Sequence, residues 1–357
     1  MKKAENIIVG ISIGDLNGIG SEVILKTFED SRMLEMCTPL IFANVKNVSF
    51  IKRNLNSDIA LHGIDRIDQL VKGKINVLNV WRDNVEINFG QNNDNIGKYA
   101  VMSFVEATKA LKEGLIDVLV TAPINKYNIQ SDQFKFPGHT DYLDQELEGN
   151  ALMFMVQDNL RVGLLTDHIP VSEVANHLTE KLIIQKIETI NKSLTQDFSI
   201  NKPKIAVLGL NPHAGDNGVI GKEDGEILKP TIKKLSDKGI LVFGPYSADG
   251  FFGSGQYEKF DAVIASYHDQ GLIPFKTLSF GSGVNYTAGL NKIRTSPDHG
   301  TAYEIAGKGI ANQSSFKNAL FSAIEIFKTR IQENELSSNA LNVFTLPKKK
   351  KNSKFKS

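Results

Sequence analysis

The stretch of sequence that decides the fold is His299-Gly-Thr-Ala-Tyr-Glu-Ile-Ala-Gly-Lys-Gly-Ile-Ala-Asn312. It leads into a predicted helix over Ser314–Gln332, where apolar residues recur at three- and four-residue spacing. Before it, Lys276, Asn285 and Arg294 lie among glycines. Cations beside a glycine backbone that permits close approach suit a phosphate or a carboxylate, with Arg making bidentate contacts and Lys acting as a point charge. The alternative interpretation is ordinary surface charge.

Upstream, short β-branched or aliphatic runs alternate with longer helix-like segments, which is typical of a parallel α/β sheet covered on both faces. The predicted strands are Ile7–Ile13, Leu40–Asn44, Val77–Val80, Val118–Thr121, Leu152–Val156, Val162–Thr166, Ile205–Leu210, Leu241–Phe243 and Ala262–Tyr267. The other predicted helices are Ser21–Glu29, Lys98–Glu113, Lys181–Lys192 and Ile227–Asp237. Open α/β sheets bind ligands beyond the carboxyl ends of their strands, so we expect the chemistry in the turns that follow these strands.

The composition is that of an ordinary globular protein of about two domains. The chain has 357 residues, of which 41% are hydrophobic and 23% are charged. Its 41 Lys and Arg residues against 40 Asp and Glu residues leave a formal charge of +1, so no overall field attracts nucleic acid or an anionic membrane. Any anionic ligand must therefore be held locally.

The single cysteine, Cys37, excludes an intramolecular disulfide and a cysteine-based zinc cluster, and it favours the reducing cytoplasm. The segment from Met1 to Gly20 differs from a signal peptide, and no apolar run reaches the roughly 18 residues that a membrane span needs. The basic tail over 346–357 is rich in lysine, and we expect it to be disordered. The alternative for this tail is a nucleic-acid contact.

Three histidines, His168, His213 and His268, each follow a predicted strand. A lone histidine is more often a hydrogen-bonded structural residue, but three at equivalent strand ends can converge on a divalent metal ion. Three protein nitrogens leave coordination positions open for a substrate, which is the arrangement of a catalytic site. The spacing of these residues matches no local zinc motif, so spacing alone leaves both interpretations open.

A fourth histidine lies in Gly138-His139-Thr140, where a glycine turn opens a helix. Backbone N–H groups and the Thr140 hydroxyl suit a phosphate there, and the alternative is an ordinary helix N-cap by Thr140. The turn Asp15-Leu-Asn-Gly18-Ile-Gly20 also precedes a helix. It lacks the first glycine of the dinucleotide-binding fingerprint and the Walker lysine, so this fingerprint fails.

The segment over 299–312 resembles the His-Gly-Ser/Thr-Ala-Pro…Ala-Gly…Ala-Asn signature of the isocitrate and isopropylmalate dehydrogenase fold, whose members bind a nicotinamide cofactor without a Rossmann glycine motif. Six further motifs occur in family order: Gly-Asp-x-x-Gly-Ile-Gly near the start, Thr-Ala-Pro-Ile-Asn-Lys at 121–126, Gly-His-Thr, Gly-Leu-Asn-Pro-His-Ala-Gly, Tyr-His-Asp-Gln-Gly and Ile-Arg-Thr-Ser. Over roughly residues 7 to 330, the chain thus resembles the 4-hydroxythreonine-4-phosphate dehydrogenase family.

The resemblance implies an α/β fold of two α/β/α domains with the active site in the cleft between them. The cofactor-side domain would cover 1–138 and 285–340, and the second domain, with the dimer contacts, would cover 139–284. The chain departs from the family at Leu16 and Ser21, where the family often has proline. The insertion-like segment Asp216–Asp224 has no family role that we can assign.

The resemblance also implies roles for individual residues. The implied metal ligands are His168, His213 and His268, for zinc, magnesium, manganese or cobalt. The implied substrate contacts are His139, Thr140, Lys276, Asn285 and Arg294. The implied contacts to NAD or NADP are His299, Gly300, Thr301 and Asn312. Lys276 and Asp249 are the candidate catalytic residues, and His139 is a further candidate for the general base.

The family reaction oxidises the secondary hydroxyl of 4-hydroxythreonine 4-phosphate with NAD(P)+ to 2-amino-3-oxo-4-phosphooxybutanoate. Decarboxylation then gives 3-amino-2-oxopropyl phosphate, in pyridoxal 5′-phosphate biosynthesis. The family forms homodimers that share the active site across the interface. The nearest competing function is the same chemistry on threonate or erythronate 4-phosphate. Two more distant functions are a metal-dependent hydrolase or aldolase, which would not need the segment over 299–312, and a catalytically inactive binding protein.

Overall fold

The computed structural model describes residues 6–338, and the predicted basic tail over 346–357 lies outside them. The strands are β1 (Ile8–Ser12), β2 (Thr38–Ala43), β3 (Leu61–Ile64), β4 (Ile75–Asn79), β5 (Val118–Thr121), β6 (Gly149–Gln157), β7 (Leu160–Leu164), β8 (Lys204–Leu208), β9 (Leu241–Tyr246), β10 (Ala262–Ala265), β11 (Val284–Leu290) and β12 (Arg294–Pro297). The α-helices are α1 (Gly20–Thr27), α2 (Met33–Met36), α3 (Val45–Asn54), α4 (Asp94–Lys112), α5 (His139–Glu146), α6 (Val174–His177), α7 (Glu180–Phe198), α8 (Lys229–Asp237), α9 (Ala248–Gly253), α10 (His268–Ser279) and α11 (Ser314–Ser338). Every predicted strand and helix is confirmed, with its ends shifted by a few residues.

The strands form one mixed sheet in the order β3-β4-β2-β1-β5-β12-β11-β6-β7-β10-β8-β9. The first six strands in this order are parallel to one another, and so are the last four. Between these blocks, β11 is antiparallel to both β12 and β6, and β6 is antiparallel to β7. The two parallel blocks therefore run in opposite directions. The expectation of an all-parallel sheet is wrong at its centre.

Helices cover both faces of the sheet, which explains why strands such as β2 are buried along their whole length. Leu40 and Phe42 belong to one hydrophobic core together with Phe104 of α4. The residue between them, Ile41, belongs to the opposite core together with Phe316 of α11. Alternate residues of one strand thus supply two separate cores. Within residues 6–338, no helix combines the length and the apolar character that a membrane span requires.

The central strands place the site residues on one face of the sheet. Asn285 of β11 lies opposite Met155 of β6 and opposite Ser296 of β12, so these three side chains share a face. Arg294 comes two residues before Ser296 and therefore shares that face as well. The fold thus brings predicted site residues together at the point where the two parallel blocks meet.

Candidate active site

A cleft of about 340 Å³ lies over this face of the sheet, between α5 and α10. Met153, Met155, Asn285 and Arg294 line it from the central strands. The predicted site residues that line it are His139, Thr140, His168, His268, Lys276, Asn285, Arg294, His299 and Gly300. Those that do not line it are His213, Asp249, Thr301 and Asn312. The cleft lies across the face of the sheet and not along one carboxyl edge, because the two parallel blocks point in opposite directions.

Arg294 is the buried cation of the cleft, with 2% of its surface exposed. Its Nε and Nη2 donate to Thr121 Oγ1 at 3.0 and 2.6 Å, and its Nη1 donates to Thr287 Oγ1 at 3.1 Å. Burial lowers the pKa of Arg294 to about 9, because no carboxylate in the described part of the chain compensates its charge. A guanidinium has five N–H donors, so donors remain for an anionic ligand. For Arg294, the interpretation as surface charge is wrong.

Three further polar atoms of the cleft are buried without a hydrogen-bond partner: His139 Nε2, Asn285 Oδ1 and His299 Nε2. An unsatisfied buried polar group costs about 1–3 kcal/mol, so such atoms indicate a place that a polar ligand fills. Burial, together with the charges of Arg294 and Lys126, holds the pKa of His139 well below its usual value. His139 therefore presents a neutral imidazole to the cleft at neutral pH.

The first turn of α5 faces the cleft through Gly138, His139 and Thr140. The helix begins at His139 after the extended residue Gly138, and no side chain caps it. Thr140 lies inside the helix, so its interpretation as an N-cap is wrong. The uncapped N–H groups and the positive end of the helix dipole favour an anion at this position.

Lys126 is a cleft residue that sequence reasoning did not select. Its Nζ donates to His168 Nε2 over 3.5 Å. Burial is the main cause of the lowered pKa values of His139 and His168, and the positive charge of Lys126 is a further cause for both. The available signal was its place in the 121–126 motif, directly after β5. With Lys276 and Arg294, it gives the cleft three cationic side chains.

His168 and His268 lie next to each other, with ring centroids 5.7 Å apart. Burial is the main cause that lowers the pKa of His168, and the charge of Lys126 is the second. The lowered pKa keeps the imidazole neutral, as a metal ligand must be. His268 Nδ1 lies 2.7 Å from Asp269 Oδ1. A carboxylate on one ring nitrogen orients a histidine so that the other nitrogen is available to a metal.

His213 does not line the cleft and lies after β8, on a turn of left-handed backbone. The φ angles from His213 to Asn217 are 54°, 50°, 80°, 43° and 55°. Asp249 is close enough to His213 for the two side chains to interact electrostatically. Within residues 6–338 of one chain, no group of three or more His, Cys, Asp or Glu side chains is placed to hold a metal ion. A single chain therefore brings together two of the three predicted ligands.

Asp224 fixes the base of this left-handed turn. Its carboxylate is 1% exposed. It accepts hydrogen bonds from Leu210 N at 2.7 Å, from Asn211 N at 3.0 Å and from Asn211 Nδ2 at 2.9 Å. The segment over 216–224, to which the sequence assigned no role, thus supplies the anchor of the loop that carries His213.

The segment over 299–312 packs against the turn that follows β1. Thr301 O accepts a hydrogen bond from Ile19 N at 3.0 Å. Asn312 Oδ1 accepts one from Ser314 N at 2.8 Å, at the start of α11. At Gly300, a β-carbon added to the backbone would meet no atom within 4 Å. His299 and Gly300 therefore face the cleft, whereas Thr301 and Asn312 hold the segment in place.

A larger groove of about 1120 Å³ runs along α7, and none of the predicted site residues lines it. Its buried charges are Asp197 and Arg330, which form an ion pair at 2.6 Å. Asp197 also accepts hydrogen bonds from Ser193 and Tyr286. Because these charged groups already have partners, the groove lacks the unpaired chemistry of the cleft.

Comparison with known proteins agrees with this site. The sequence profile of the family described as "Pyridoxal phosphate biosynthetic protein PdxA" matches residues 35–323. A 4-hydroxythreonine-4-phosphate dehydrogenase from Bacteroides thetaiotaomicron is 48% identical over 337 residues, which cover 94% of this chain and 93% of that protein. A D-threonate 4-phosphate dehydrogenase from Cupriavidus necator is 36% identical, covering 90% of this chain and 98% of that protein.

Solved structures show the same relationship. A crystal structure of 4-hydroxythreonine-4-phosphate dehydrogenase from Klebsiella pneumoniae is similar with a TM-score of 0.76 and 31% identity, and covers 90% of this chain and 98% of that one. Both the profile and the relatives extend over most of the sequence, so the match is not confined to single motifs. The chain, with its α/β fold and its cleft lined by cationic side chains, belongs to the PdxA family.

Proposed function

We propose that this chain is an NAD(P)-dependent, divalent-metal-dependent dehydrogenase of 4-hydroxythreonine 4-phosphate, acting in the cytoplasm in pyridoxal 5′-phosphate biosynthesis. The observation that carries the proposal is Arg294, a buried cation to which the described part of the chain offers no carboxylate. It lines a cleft in which three other buried polar atoms have no hydrogen-bond partner. The relatives named for this activity support the choice of substrate.

The anionic groups of the substrate are matched by the cations of the cleft. Arg294 and Lys276 pair with the phosphate or the carboxylate, and the first turn of α5 adds the hydroxyl of Thr140 and backbone N–H groups. Each charge-assisted hydrogen bond contributes about 1.5–3 kcal/mol. Asn285 Oδ1, which has no protein partner, accepts from the amino or hydroxyl group of the substrate and fixes its orientation.

A bound nicotinamide cofactor would accept the hydride of the hydroxyl-bearing carbon, and a base of the protein would take up the hydroxyl proton. Lys276 and neutral His139 line the cleft and are candidates for this base. Asp249, the other candidate, lies near His213. The keto group that forms withdraws electrons from the neighbouring carbon, so the carboxylate leaves as carbon dioxide. The positive charges of the cleft stabilise the negative charge that develops.

We infer that His168, His213 and His268 hold the divalent metal, with His168 and His268 from one chain and His213 from the partner in a homodimer. The adjacency of His168 and His268 supports the first part. Within the described residues of one chain, the three histidines do not form a group placed to hold a metal ion, which supports the second. Bound there, zinc, magnesium, manganese or cobalt supplies a Lewis acid for the substrate oxygen. The described residues of one chain do not complete this site by themselves.

The cofactor, NAD or NADP, binds along the segment over 299–312 in this proposal. His299 Nε2 is buried without a partner, and Gly300 leaves open space next to the backbone. A flat or extended ligand can therefore approach the main chain at Gly300. Thr301 and Asn312 support the segment from behind.

A second candidate function is the oxidation of threonate or erythronate 4-phosphate. It is favoured by the relative from Cupriavidus necator, which is named a D-threonate 4-phosphate dehydrogenase. These substrates carry a hydroxyl group at the carbon where 4-hydroxythreonine 4-phosphate carries its amino group.

One assay separates the candidates. Reduction of NAD+ and of NADP+ is measured with 4-hydroxythreonine 4-phosphate, with its dephosphorylated form, and with the 4-phosphates of threonate and erythronate. We expect the highest kcat/KM with the amino-acid phosphate and very poor turnover of the dephosphorylated form. Preference for a sugar-acid phosphate would replace the first candidate with the second. Indifference to the phosphate would refute the anion site around Arg294.

A further inference from the structure

Two segments that border the cleft are both hydrogen-bonded to one buried residue, Asp15. This residue follows β1, has no exposed surface and does not line the cleft. Its Oδ2 accepts hydrogen bonds from Tyr303 OH and from Asn128 Nδ2, both at 2.8 Å. Its Oδ1 accepts one from Asn17 N at 2.9 Å. All of these donors come from the polypeptide, so no ligand is needed to satisfy this carboxylate.

The partners of Asp15 come from the two segments that border the cleft. Asn128 lies two residues after Lys126, which lines one wall, and Asp15 N also donates to Pro123 O in that wall at 2.9 Å. Tyr303 lies three residues after Gly300, which lines the other wall. Asn125 Nδ2 donates to Tyr303 OH at 3.0 Å and joins the two segments directly.

The hydroxyl of Tyr303 is therefore both a donor and an acceptor at this junction. Burial, and after it the interaction with Asp15, raises the pKa of Tyr303 to about 12, so the hydroxyl keeps its proton through the physiological range. A hydrogen bond from a hydroxyl to a carboxylate is among the stronger ones in a protein. The Tyr303 hydroxyl thus stays protonated and keeps the two segments linked throughout catalysis.

We propose that Asp15 and Tyr303 are positioning residues for the nicotinamide cofactor, because they fix the wall that carries His299 and Gly300 relative to the wall that carries Lys126. This inference rests on the proposed function, since it takes His299 and Gly300 to face the cofactor. Neither residue lines the cleft, so each acts through the backbone that it holds. Holding both walls before the cofactor arrives removes part of the ordering cost of binding.

The test compares Tyr303→Phe and Asp15→Asn with Tyr99→Phe. Tyr303→Phe removes one hydroxyl and keeps the ring. Asp15→Asn replaces a carboxylate oxygen with an NH2 group, which cannot accept the hydrogen bonds from Tyr303 and Asn128. Tyr99 OH donates to Asp83 Oδ2 at 3.1 Å on α4, outside the cleft, so Tyr99→Phe removes a tyrosine–aspartate hydrogen bond of the same kind elsewhere. Affinity for NAD+ and NADP+ is measured by direct titration without substrate. Hydrogen exchange of the cofactor-free protein is followed in peptides covering 299–312 and 122–130.

We expect Tyr303→Phe to weaken cofactor binding about tenfold, which is the loss of one such hydrogen bond. Exchange should accelerate over 299–312, and Tyr99→Phe should change neither quantity. The double variant should bind the cofactor no more weakly than Asp15→Asn alone, because the two residues act through one contact. Should Asp15→Asn fail to fold, Tyr303→Phe still decides the question.

The outcomes that overturn the inference differ from those that overturn the proposed function. Weaker binding with unchanged exchange would mean that Tyr303 touches the cofactor itself, and faster exchange with unchanged affinity would mean a purely structural contact. Either result removes the positioning role. A wild-type protein that binds neither NAD+ nor NADP+ would instead refute the proposed function.

Discussion

Arg294 shows how a single residue can be unfavourable for the fold and favourable for a ligand. Its three hydrogen bonds go to the hydroxyls of Thr121 and Thr287, which satisfy donors but carry no compensating charge. A buried cation without a nearby carboxylate lowers the stability of the ligand-free protein, because no opposite charge offsets the free-energy cost of removing the cation from water. In the proposed function the same cation binds an anion, and the cost of removing its guanidinium from water has already been met during folding.

This balance gives a test at Arg294. We expect Arg294→Met to lower kcat/KM for the phosphorylated substrate by at least about a hundredfold, since it removes two or more charge-assisted hydrogen bonds. The melting temperature of the ligand-free protein should stay equal or rise, because an unpaired buried charge is removed. Steady-state kinetics and thermal unfolding measure the two effects. A variant that loses stability and activity together would show that Arg294 serves the fold.

Gly300 allows a similar separation for the cofactor. The space next to its backbone is open, since an added β-carbon would meet no atom within 4 Å. We expect Gly300→Leu to leave the unfolding temperature unchanged and to raise the KM for the cofactor more than the KM for the substrate. Equal increases in both constants would point to a general disturbance of the cleft.

At the scale of elements, the loop from Pro212 to Gly218 depends on a distant anchor. His213, Ala214, Asp216 and Asn217 are left-handed residues other than glycine, and each costs roughly 1–2 kcal/mol. Such a backbone persists only when its surroundings enforce it. The buried carboxylate of Asp224 does so by accepting from Leu210 and Asn211, directly before the loop.

We therefore expect Asp224→Asn to release this loop. The amide NH2 of an asparagine would face the N–H donors of Leu210 and Asn211, which loses about 1–3 kcal/mol of folding stability. Hydrogen exchange should accelerate over 209–221 while the core strands stay protected, and the protein should bind less metal. Glu226→Gln, an exposed change in the same turn, is the matched control. Unchanged exchange over 209–221 in Asp224→Asn would show that the loop is held by other contacts.

The elements also show why the sequence predicted some features and not others. The buried runs of β1, β2 and β5 are mainly apolar, and this pattern predicts strands. In contrast, β12 has four residues, and β11 mixes polar residues with Gly289. Asn285 and Arg294 therefore lie outside the strands that the sequence predicts, although they belong to central strands of the sheet. Their place in the site was predicted from the family resemblance.

Hydrogen bonds between residues that are far apart in the sequence cannot be predicted from local sequence patterns. Asp15 and Tyr303 are separated by most of the chain, and nothing in the sequence around either residue indicates the other. The same holds for Lys126 and His168. Contacts of this kind follow from the order of strands in the sheet, and that order depends on where the late strands insert.

At the scale of the whole molecule, the proposed metal site requires two chains, and this can be tested with mixed dimers. His168→Ala and His213→Ala homodimers should each be inactive and lose bound metal. When the two variants are co-expressed, half of the dimers are mixed, and one of the two sites in each is intact. We expect about a quarter of the wild-type activity and bound metal to return. No recovery would show that His168 and His213 of one site come from the same chain.

The division into a domain over 1–138 and 285–340 and a domain over 139–284 stays a prediction. The first boundary falls at the start of α5, and the second falls at the start of β11. The sheet itself is continuous through β12, β11 and β6. Limited proteolysis would test the proposal, because an independent unit over 139–284 should survive as a stable fragment.

The position of β11 and β12 in the sheet sets the order of events on the ribosome. These strands are synthesised after all the others, yet they separate β5 from β6 at the centre of the sheet. Until Pro297 has emerged, a nascent chain holds two half-sheets whose inner edges, β5 and β6, are mainly apolar and lack their final partner strands. Such edges recruit other strands, so the growing chain is exposed to aggregation until almost all of it has been translated. We therefore expect chaperones to bind the chain late in its synthesis, and a premature stop before β11 to yield insoluble protein.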